Sequence, residues 1–177
     1  MRVKSVILAA GQGTRMRSSL PKVLHPILGR PMVAYALDVA RRVTQAKPVV
    51  VIGHAADQVR AALEGQAEFV LQAEQLGTGH AVQQVAPLLR GQVDHVLVTY
   101  GDMPLLRAAT LQRLLEAQQA HDGPISLLTV VADDPRGFGR ILRAEDGRVL
   151  AIVEEAHATP EQRAIRELNT GVFCFQA

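Results

Sequence analysis

Short, nearly continuous apolar runs alternate with segments of helical periodicity over about the first 130 residues. Val3–Ala9 is apolar at almost every position, as expected for a strand buried on both faces of a sheet. From Pro31 to about Gln45, apolar residues recur along one helical stripe, and proline suits the first helical turn because its missing N–H would have no partner there. The same reasoning predicts strands at Val49–Ile52, Phe69–Leu71, His95–Thr99 and Ile125–Val131, and helices at Gln58–Leu63, Gly79–Leu89 and Thr110–Gln119.

This alternation predicts an α/β fold, a Rossmann-like, mostly parallel and doubly wound sheet with helices on both faces. The pattern changes after Val131, where turn residues precede shorter strands added after residue 135. These strands are predicted at Ile141–Leu142, Val149–Val153 and Asn169–Phe175, with a hairpin turn at Asp146-Gly147. A length of 177 residues predicts a single domain, 1–177, and a chain that stops directly after a strand suggests an incomplete C-terminus.

Composition and charge exclude several classes of protein. Nineteen basic and 17 acidic residues leave a net charge of +2, and aromatic residues make up only 3%. A nucleic-acid-binding protein would more often carry a basic stripe with aromatic side chains for stacking. The single cysteine, Cys174, excludes an internal disulfide, and neither a signal peptide nor a membrane-length apolar segment is found. We therefore expect a cytoplasmic protein without nucleic-acid or membrane partners.

The first candidate site is Leu8–Met16, because ligands of parallel α/β sheets bind beyond the carboxyl ends of the strands. Gly11 and Gly13 would let the backbone approach a ligand and direct N–H groups at phosphate oxygens. The run lacks the Gly-Lys-Ser/Thr of a P-loop and the third glycine of the dinucleotide fingerprint. Two glycines alone are equally consistent with a tight turn. Arg15 and Lys22 favour phosphate binding, although each alone would be interpreted as a solvated surface charge.

The second candidate site is Gln72–Ala81, which follows the third predicted strand. A glutamine amide offers one donor and one acceptor to the edge of a base, and Thr78 or a glycine N–H would complete the pattern. The alternative is the capped start of a helix. His80 is better interpreted as orienting this loop than as a metal ligand.

The third candidate site is Tyr100–Leu105, at the end of the fourth predicted strand. Asp102 is a candidate ligand for Mg²⁺, which typically takes one or two protein carboxylates together with substrate phosphates. Aspartate in a strand-end turn is also a common structural device, so both interpretations stay open.

These three segments, in this order, resemble the uridyltransferase domain of the bifunctional N-acetylglucosamine-1-phosphate uridyltransferase/glucosamine-1-phosphate acetyltransferase family. The resemblance covers essentially the whole chain, and Gln72–Ala81 is its most specific motif. The first motif alone marks the wider group of sugar nucleotidyltransferases. The resemblance implies a sheet of the nucleotide-diphospho-sugar transferase type. The further segments that carry it are Leu20–His25, Gly137–Ile141, Ile152–Glu154 and Asn169–Gly171.

The resemblance implies roles for individual residues. The uridine pocket would consist of Leu8, Ala9, Ala10, Gly11, Gln72, Gly77 and Thr78, with Gly13 and Thr14 also binding the nucleotide. Arg15 and Lys22 would hold the phosphates as catalytic residues. Asp102 would bind Mg²⁺, beside Tyr100 and Gly101. The amino sugar would contact Gly139, Glu154 and Asn169.

The reaction that the resemblance implies joins UTP and N-acetylglucosamine 1-phosphate, with Mg²⁺ as cofactor, and yields UDP-N-acetylglucosamine and pyrophosphate for cell-envelope precursors. The resemblance is also compatible with a homo-oligomer in the full-length protein. The family's second Mg²⁺ ligand, an asparagine, and its acetyltransferase β-helix both lie beyond residue 177, so no acetyltransferase activity is predicted. Phe138 stands where the family often has tyrosine.

Three alternatives stay open. The first is a related enzyme acting on another sugar or base, such as glucose 1-phosphate with UTP or dTTP. The second is a nucleotide-binding module without turnover. The third, a dinucleotide-dependent oxidoreductase, is disfavoured because Gly53-His54 follows the second strand where an acidic ribose ligand would be expected.

Overall fold

The computed structural model describes the backbone of residues 1–177 and every side chain except that of Arg15. The chain divides into two compact units, Met1–Ser126 with Phe173–Ala177, and Leu127–Val172. None of the helices within the described residues is long and apolar enough to span a membrane. The prediction of a single domain stays a prediction.

The first unit follows the strand–helix alternation that the sequence predicts. Its strands are β1 (Val3–Ala9), β2 (Pro26–Ile27), β3 (Arg30–Pro31), β4 (Val49–Ile52), β5 (Glu68–Leu71) and β6 (His95–Tyr100). Its helices are α1 (Met32–Thr44), α2 (Ala56–Ala62), α3 (Thr78–Gln83), α4 (Ala86–Leu89) and α5 (Ala108–Gln119).

Strands of the first unit pair in the order β5-β4-β1-β6, and all three pairings are parallel. Phe173–Gln176 adds an antiparallel edge to β6. The register sets Ala9 opposite Ile52, Ile52 opposite Leu71, and Leu8 opposite Tyr100. The carboxyl ends of all four parallel strands therefore lie at one edge of the sheet.

Alternate residues of the parallel strands build two separate cores. Ile7 and Ile52 pack on one face with α1 and α2. Val6 and Val51 pack on the opposite face with α3 and α4. A sheet covered on both faces favours apolar side chains at every position, and Val6–Ala9 of β1 and all of β4 are apolar and buried. The predicted doubly wound, mostly parallel fold is confirmed.

Two sequence-based predictions for this unit need correction. The single helix predicted at Gly79–Leu89 is wrong, because the chain forms α3 and α4 with a break at residues 84–85. Pro87 explains the break, since it has no N–H to donate and its ring would clash with the carbonyl of residue 83 in a continuous helix. The hairpin of β2 and β3 was missed, and its turn places Leu28 and Gly29 at φ values of 49° and 77°.

The second unit consists of short antiparallel strands. It contains most of β7 (Ile125–Val131), then β8 (Arg140–Arg143), β9 (Val149–Val153), α6 (Pro160–Arg163) and the first part of β10 (Glu167–Gln176). Strand β8 pairs with β9 and, through Arg140 opposite Leu168, with β10. The predicted hairpin turn is confirmed, and Gly147 supplies its positive φ of 85°.

Candidate active site

A cleft of about 310 Å³ opens at the carboxyl edge of the first unit's sheet. It is lined by Leu8, Ala9, Ala10, Gly11, Gly13, Lys22, Val23, Gln72, Gln75, Gly77, Thr78, Ala81, Tyr100 and Asp102. All of these except Val23, Gln75 and Ala81 are site residues predicted from the sequence. The three segments that follow β1, β5 and β6 thus share one cleft, as the strand-end rule predicts.

The two glycines of the first motif serve different purposes. Gly13 adopts the left-handed conformation, with φ of 63°, and a Cβ there would lie 2.6 Å from Lys22 Cβ. Its missing side chain therefore makes room for the stem of Lys22. Gly11 has no atom within 4 Å of the position its Cβ would occupy, so its missing side chain leaves the cleft open beside the end of β1.

Lys22 and Asp102 form an ion pair at the cleft. Lys22 begins a short 3-10 helix after Pro21, and the next two residues, Val23 and Leu24, are buried and anchor it. Its Nζ donates to Asp102 Oδ2 at 2.5 Å, and the two side chains are 35% and 29% exposed. The pair is open enough for a ligand to insert between the charges or to bind beside them.

Asp102 is positioned by a backbone hydrogen bond that continues the pairing of β6 with β1. The Gly101 N–H donates to the carbonyl oxygen of Leu8 at 2.9 Å. A Cβ on Gly101 would lie 3.1 Å from Val23 and 3.2 Å from Val33, so the residue lies over the core rather than in the cleft. Tyr100, directly before it, lines the cleft.

Gln72 is the buried polar residue of the cleft, with 4% of its surface exposed. Its backbone N–H donates to the Ile52 carbonyl oxygen at 2.8 Å, which extends the pairing of β5 with β4. Its side-chain nitrogen lies 3.1 Å from the carbonyl oxygen of Gly77 and 3.1 Å from His80 Nδ1. The sequence-based interpretation of His80 as a residue that orients this loop agrees with this contact.

Gln75, which is not among the site residues predicted from the sequence, links the first and second motifs. Its amide satisfies both neighbours when the nitrogen donates to the Ala10 carbonyl oxygen at 3.0 Å and the oxygen accepts from the His54 N–H at 3.3 Å. The His54 N–H also donates to Ala10 at 3.0 Å. A second glutamine in the polar run of the second motif was the available signal.

The remaining predicted site residues lie elsewhere. Thr14 is exposed and begins a 3-10 helix, and it is not among the residues that line the cleft. The side chain of Arg15 lies outside the described part of the structure, so its predicted role stays a prediction. Gly139, Glu154 and Asn169 belong to the second unit.

Within the second unit, the three residues predicted to contact the sugar are neighbours. A Cβ on buried Gly139 would lie 3.0 Å from Ile152 Cγ2 and 3.1 Å from Glu154 Oε1. The Asn169 backbone N–H donates to the Gly139 carbonyl oxygen at 2.8 Å, and Asn169 Oδ1 accepts from the Gly171 N–H at 2.9 Å. The bond to Gly171 uses the amide oxygen of Asn169 and leaves its nitrogen as a donor.

A buried arginine supports this cluster. Arg140 is 2% exposed and donates to the Phe138 carbonyl oxygen and to Glu155 Oε2. The Gly137 N–H and then Arg140 hold the pKa of Glu155 below its usual range. These bonds fix the loop that precedes Gly139.

The donor set at Asp102 fits a metal held mainly by its substrate. Within the described residues, no group of three or more His, Cys, Asp or Glu side chains is arranged to hold a metal ion. Asp102 uses Oδ2 for Lys22, and Oδ1 accepts no hydrogen bond from the described residues. One open carboxylate oxygen matches Mg²⁺, which takes few protein ligands and fills its shell with water and phosphate oxygens.

Comparison with known proteins gives consistent matches. A family model described as the MobA-like NTP transferase domain matches residues 5–170. The bifunctional protein GlmU of Bacillus licheniformis is 48% identical over 171 residues, which cover 97% of this chain and 38% of that protein. The bifunctional protein GlmU of Burkholderia orbicola strain AU 1054 is 55% identical over 168 residues, which cover 94% of this chain and 36% of that protein.

A solved structure supports the fold. CMP:2-keto-3-deoxy-manno-octonic acid synthetase in complex with CTP matches with a TM-score of 0.74 and 21% identity, over 99% of this chain and 74% of that one. The chain thus spans well under half the length of the two GlmU relatives, whereas it spans most of this structural neighbour.

Proposed function

This chain belongs to the MobA-like NTP transferase domain family, and from that premise we propose that it is a sugar-1-phosphate uridylyltransferase. The substrates proposed are UTP and N-acetylglucosamine 1-phosphate, and the products are UDP-N-acetylglucosamine and pyrophosphate. The bifunctional GlmU relatives, at 48% and 55% identity, support this choice over a related sugar phosphate. The buried, unpaired thiol of Cys174 agrees with the cytoplasm as the proposed location.

One observation carries the proposal. Gly11 and Gly13, the Lys22–Asp102 ion pair and the buried amide of Gln72 line the same cleft. A cation beside open backbone suits a triphosphate, and a buried polar amide suits the edge of a base. A cleft built only for an uncharged ligand would not need the cation.

In the proposed reaction, a phosphate oxygen of the sugar phosphate attacks the α-phosphorus of UTP. A new P–O bond forms as the bond between the α-phosphorus and the oxygen bridging to the β-phosphate breaks, and that electron pair leaves with pyrophosphate. Lys22 stabilises the negative charge that develops on the transferred and departing phosphates. The glycine segment and Gln72 hold the nucleotide in place, so the rate gain comes from positioning and charge stabilisation.

Asp102 is the residue proposed to hold Mg²⁺, through the carboxylate oxygen that Lys22 does not use. When bound, the ion would neutralise phosphate charge at this end of the cleft. Arg15 is proposed as a second phosphate-binding cation. In the second unit, the amide nitrogen of Asn169 and the carboxylate of Glu154 are proposed to bind the amino sugar, because one donates and the other accepts.

The test replaces the charged groups one at a time and measures pyrophosphate release from UTP and N-acetylglucosamine 1-phosphate. Lys22→Ala and Asp102→Asn are each expected to lower kcat/KM on the order of a hundredfold, as for loss of one oxyanion donor. Arg15→Ala is expected to behave alike. Circular dichroism and urea unfolding check that each variant still folds, independently of its affinity for UTP.

A second ion pair of the first unit provides the matched control. Arg30 and Asp38 lie 2.8 Å apart on the surface, outside the cleft. Arg30→Ala and Asp38→Asn should therefore leave the rate within about twofold, since exposed pairs contribute little. Wild-type rates in Lys22→Ala and Asp102→Asn would contradict the proposal. Turnover only with glucose 1-phosphate or dTTP would favour a related nucleotidyltransferase, and UTP binding without turnover would favour a nucleotide-binding module.

A further inference from the structure

The orientation of the Gln72 side chain is determined by its neighbours. The carbonyl oxygen of Gly77 can only accept a hydrogen bond, so the amide nitrogen of Gln72, at 3.1 Å, must face it. The reverse orientation would bring two oxygens together. The same nitrogen lies 3.1 Å from His80 Nδ1, which provides an acceptor for its second hydrogen. In this arrangement the His80 ring carries its proton on Nε2.

The amide oxygen of Gln72 is consequently the atom left for a ligand. Oε1 accepts no hydrogen bond from any described residue. Nor is it among the buried side-chain atoms without a partner, which in the described part of the chain are Ser5 Oγ, His95 Nδ1 and Gln118 Oε1. Because Gln72 lines the cleft, this oxygen keeps access to the space inside it. The cleft therefore presents a fixed acceptor.

A fixed acceptor distinguishes between the two pyrimidines of ordinary ribonucleotides. Ring N3 of uracil carries a proton, whereas ring N3 of cytosine carries a lone pair. An acceptor that meets N3 forms a hydrogen bond in the first case and a repulsive contact in the second. An amide that could rotate freely would lose this discrimination, because its nitrogen could then donate to cytosine.

We propose that His80 is a positioning residue that sets the base preference of the cleft by holding the Gln72 oxygen toward the ligand. The inference rests on the proposed function, since it takes the ligand to be a pyrimidine nucleotide. Helix α3 brings the two side chains together, because it places His80 in its first turn, directly after the loop that returns from Gln72. Gln84, at the end of α3, donates from Nε2 to the His80 carbonyl oxygen at 3.1 Å, and this bond does not involve the imidazole ring.

The experiment measures the affinities of UTP and CTP for the intact chain and for variants at His80. In His80→Leu the amide keeps its bond to Gly77 and loses the second one. The ratio of CTP to UTP dissociation constants is therefore expected to fall on the order of tenfold, about the worth of one hydrogen bond. His80→Asn should keep the wild-type ratio, because asparagine Oδ1 occupies the place of Nδ1 and can accept. His80→Gln should behave like His80→Leu, because its polar atoms lie one bond further out.

Gln84→Ala is the matched control, since it removes a bond to the backbone of His80 and leaves the contact with Gln72 in place. Its ratio should match that of the wild type. If His80→Leu does not fold, the pair His80→Asn and His80→Gln gives the same comparison. A wild-type protein that binds CTP as well as UTP would overturn the inference, and so would an unchanged ratio in folded His80→Leu and His80→Gln.

Failure of the inference and failure of the proposed function give different results. A preference for UTP that depends on His80, without formation of a nucleotide sugar, would contradict the enzyme and support the role of His80. Normal turnover of UTP together with an unchanged ratio in the His80 variants would support the enzyme and contradict that role.

Discussion

The central strands of the first unit, β1, β4 and β6, are mostly buried, whereas the strands of the second unit are largely half-exposed. All four residues of β4 are fully buried. In β9, by contrast, Val149, Leu150 and Ile152 are 38%, 65% and 37% exposed. The difference follows from topology, because parallel strands covered by helices on both faces have no solvent face, while a short antiparallel hairpin has one.

The strands and loops of the second unit are held instead by hydrogen bonds that charged side chains make. Arg143 makes two hydrogen bonds to Glu167, at 2.7 and 2.6 Å, and Arg140 holds the loop before Gly139. The carboxyl groups whose pKa is lowered in this unit are Asp134, Asp146, Glu155, Glu161 and Glu167. The geometry of the candidate cleft in the first unit should therefore respond to side-chain volume, and that of the second unit to charge.

The largest difference is expected for the same leucine truncation in each unit. Leu97, in β6, is fully buried, and Leu97→Ala should lower the free energy of unfolding by about 2–5 kcal/mol through lost burial and a residual cavity. Leu150, in β9, is mostly exposed, so Leu150→Ala should change it by no more than about 0.5 kcal/mol. Urea unfolding monitored by circular dichroism measures both. Equal losses would show that burial does not distinguish the two units.

A smaller difference is expected for alanine at two glycines. In Gly53→Ala the new Cβ would lie 2.8 Å from Ala10 Cβ and 3.0 Å from the Ala10 carbonyl oxygen. Because the backbone must move, we expect the free energy of unfolding to fall by about 1–3 kcal/mol and UTP to bind more weakly. In Gly139→Ala the nearest atoms belong to side chains, Ile152 Cγ2 at 3.0 Å and Glu154 Oε1 at 3.1 Å. The Glu154 carboxylate can rotate away, and Ile152 has to shift by only a few tenths of an ångström. For Gly139→Ala we expect the free energy of unfolding to fall by less than about 1 kcal/mol and the KM for the sugar phosphate to rise.

Gly79→Ala is the control for both glycine substitutions. No atom lies within 4 Å of its Cβ position, and it is inside α3, where alanine is favoured over glycine. Unfolding free energies and UTP affinities of the three variants make the comparison. A Gly53→Ala protein as stable and as tight a UTP binder as Gly79→Ala would contradict the close packing of Gly53 against the first motif.

The buried strands were the most predictable part of the fold. The bounds of β1 and β4 agree with those predicted, because strands buried on both faces show mostly apolar runs, interrupted in β1 only by Lys4 and Ser5. The β2–β3 hairpin has two residues in each strand, too few to show any periodicity. Helix α6 was missed although Thr159 and Gln162 form a capping box and Pro160 follows the cap, which is a recognisable helix start.

For the candidate site, the sequence predicted which segments form the cleft, but it did not predict the individual contacts between their atoms. The rule that ligands bind at the carboxyl ends of parallel strands brought the three motifs to one cleft. That the Gly13 gap accommodates Lys22, and that the Gln75 amide joins Ala10 to His54, depend on contacts between residues far apart in sequence. No local pattern encodes such distances, so these features required the structure.

The smallest expected effect is the loss of stability of the second unit at acidic pH. Carboxyl groups with a lowered pKa stabilise the folded state above their unfolded pKa, and this contribution is lost as pH falls through the folded value. In the second unit Asp134 has its pKa lowered to about 2, chiefly by the side chain of Arg136, and that of Glu167 is lowered by Arg143. Between about pH 5 and about pH 2, residues 127–172 should therefore lose amide protection before the buried strands of the first unit.

A single substitution isolates this contribution. Glu167→Gln removes the negative charge that pairs with Arg143. The free energy of unfolding near neutral pH should fall by only on the order of 0.5–1 kcal/mol, because the pair is partly exposed and screened by solvent. The cost should shrink as pH falls, since the wild-type carboxylate is then protonated too. Glu116→Gln, on α5 of the first unit, is the control and should change little at any pH. Hydrogen exchange resolved by peptide measures both, and equal loss of protection in β4 and β9 on acidification would contradict the assignment of charge dependence to the second unit.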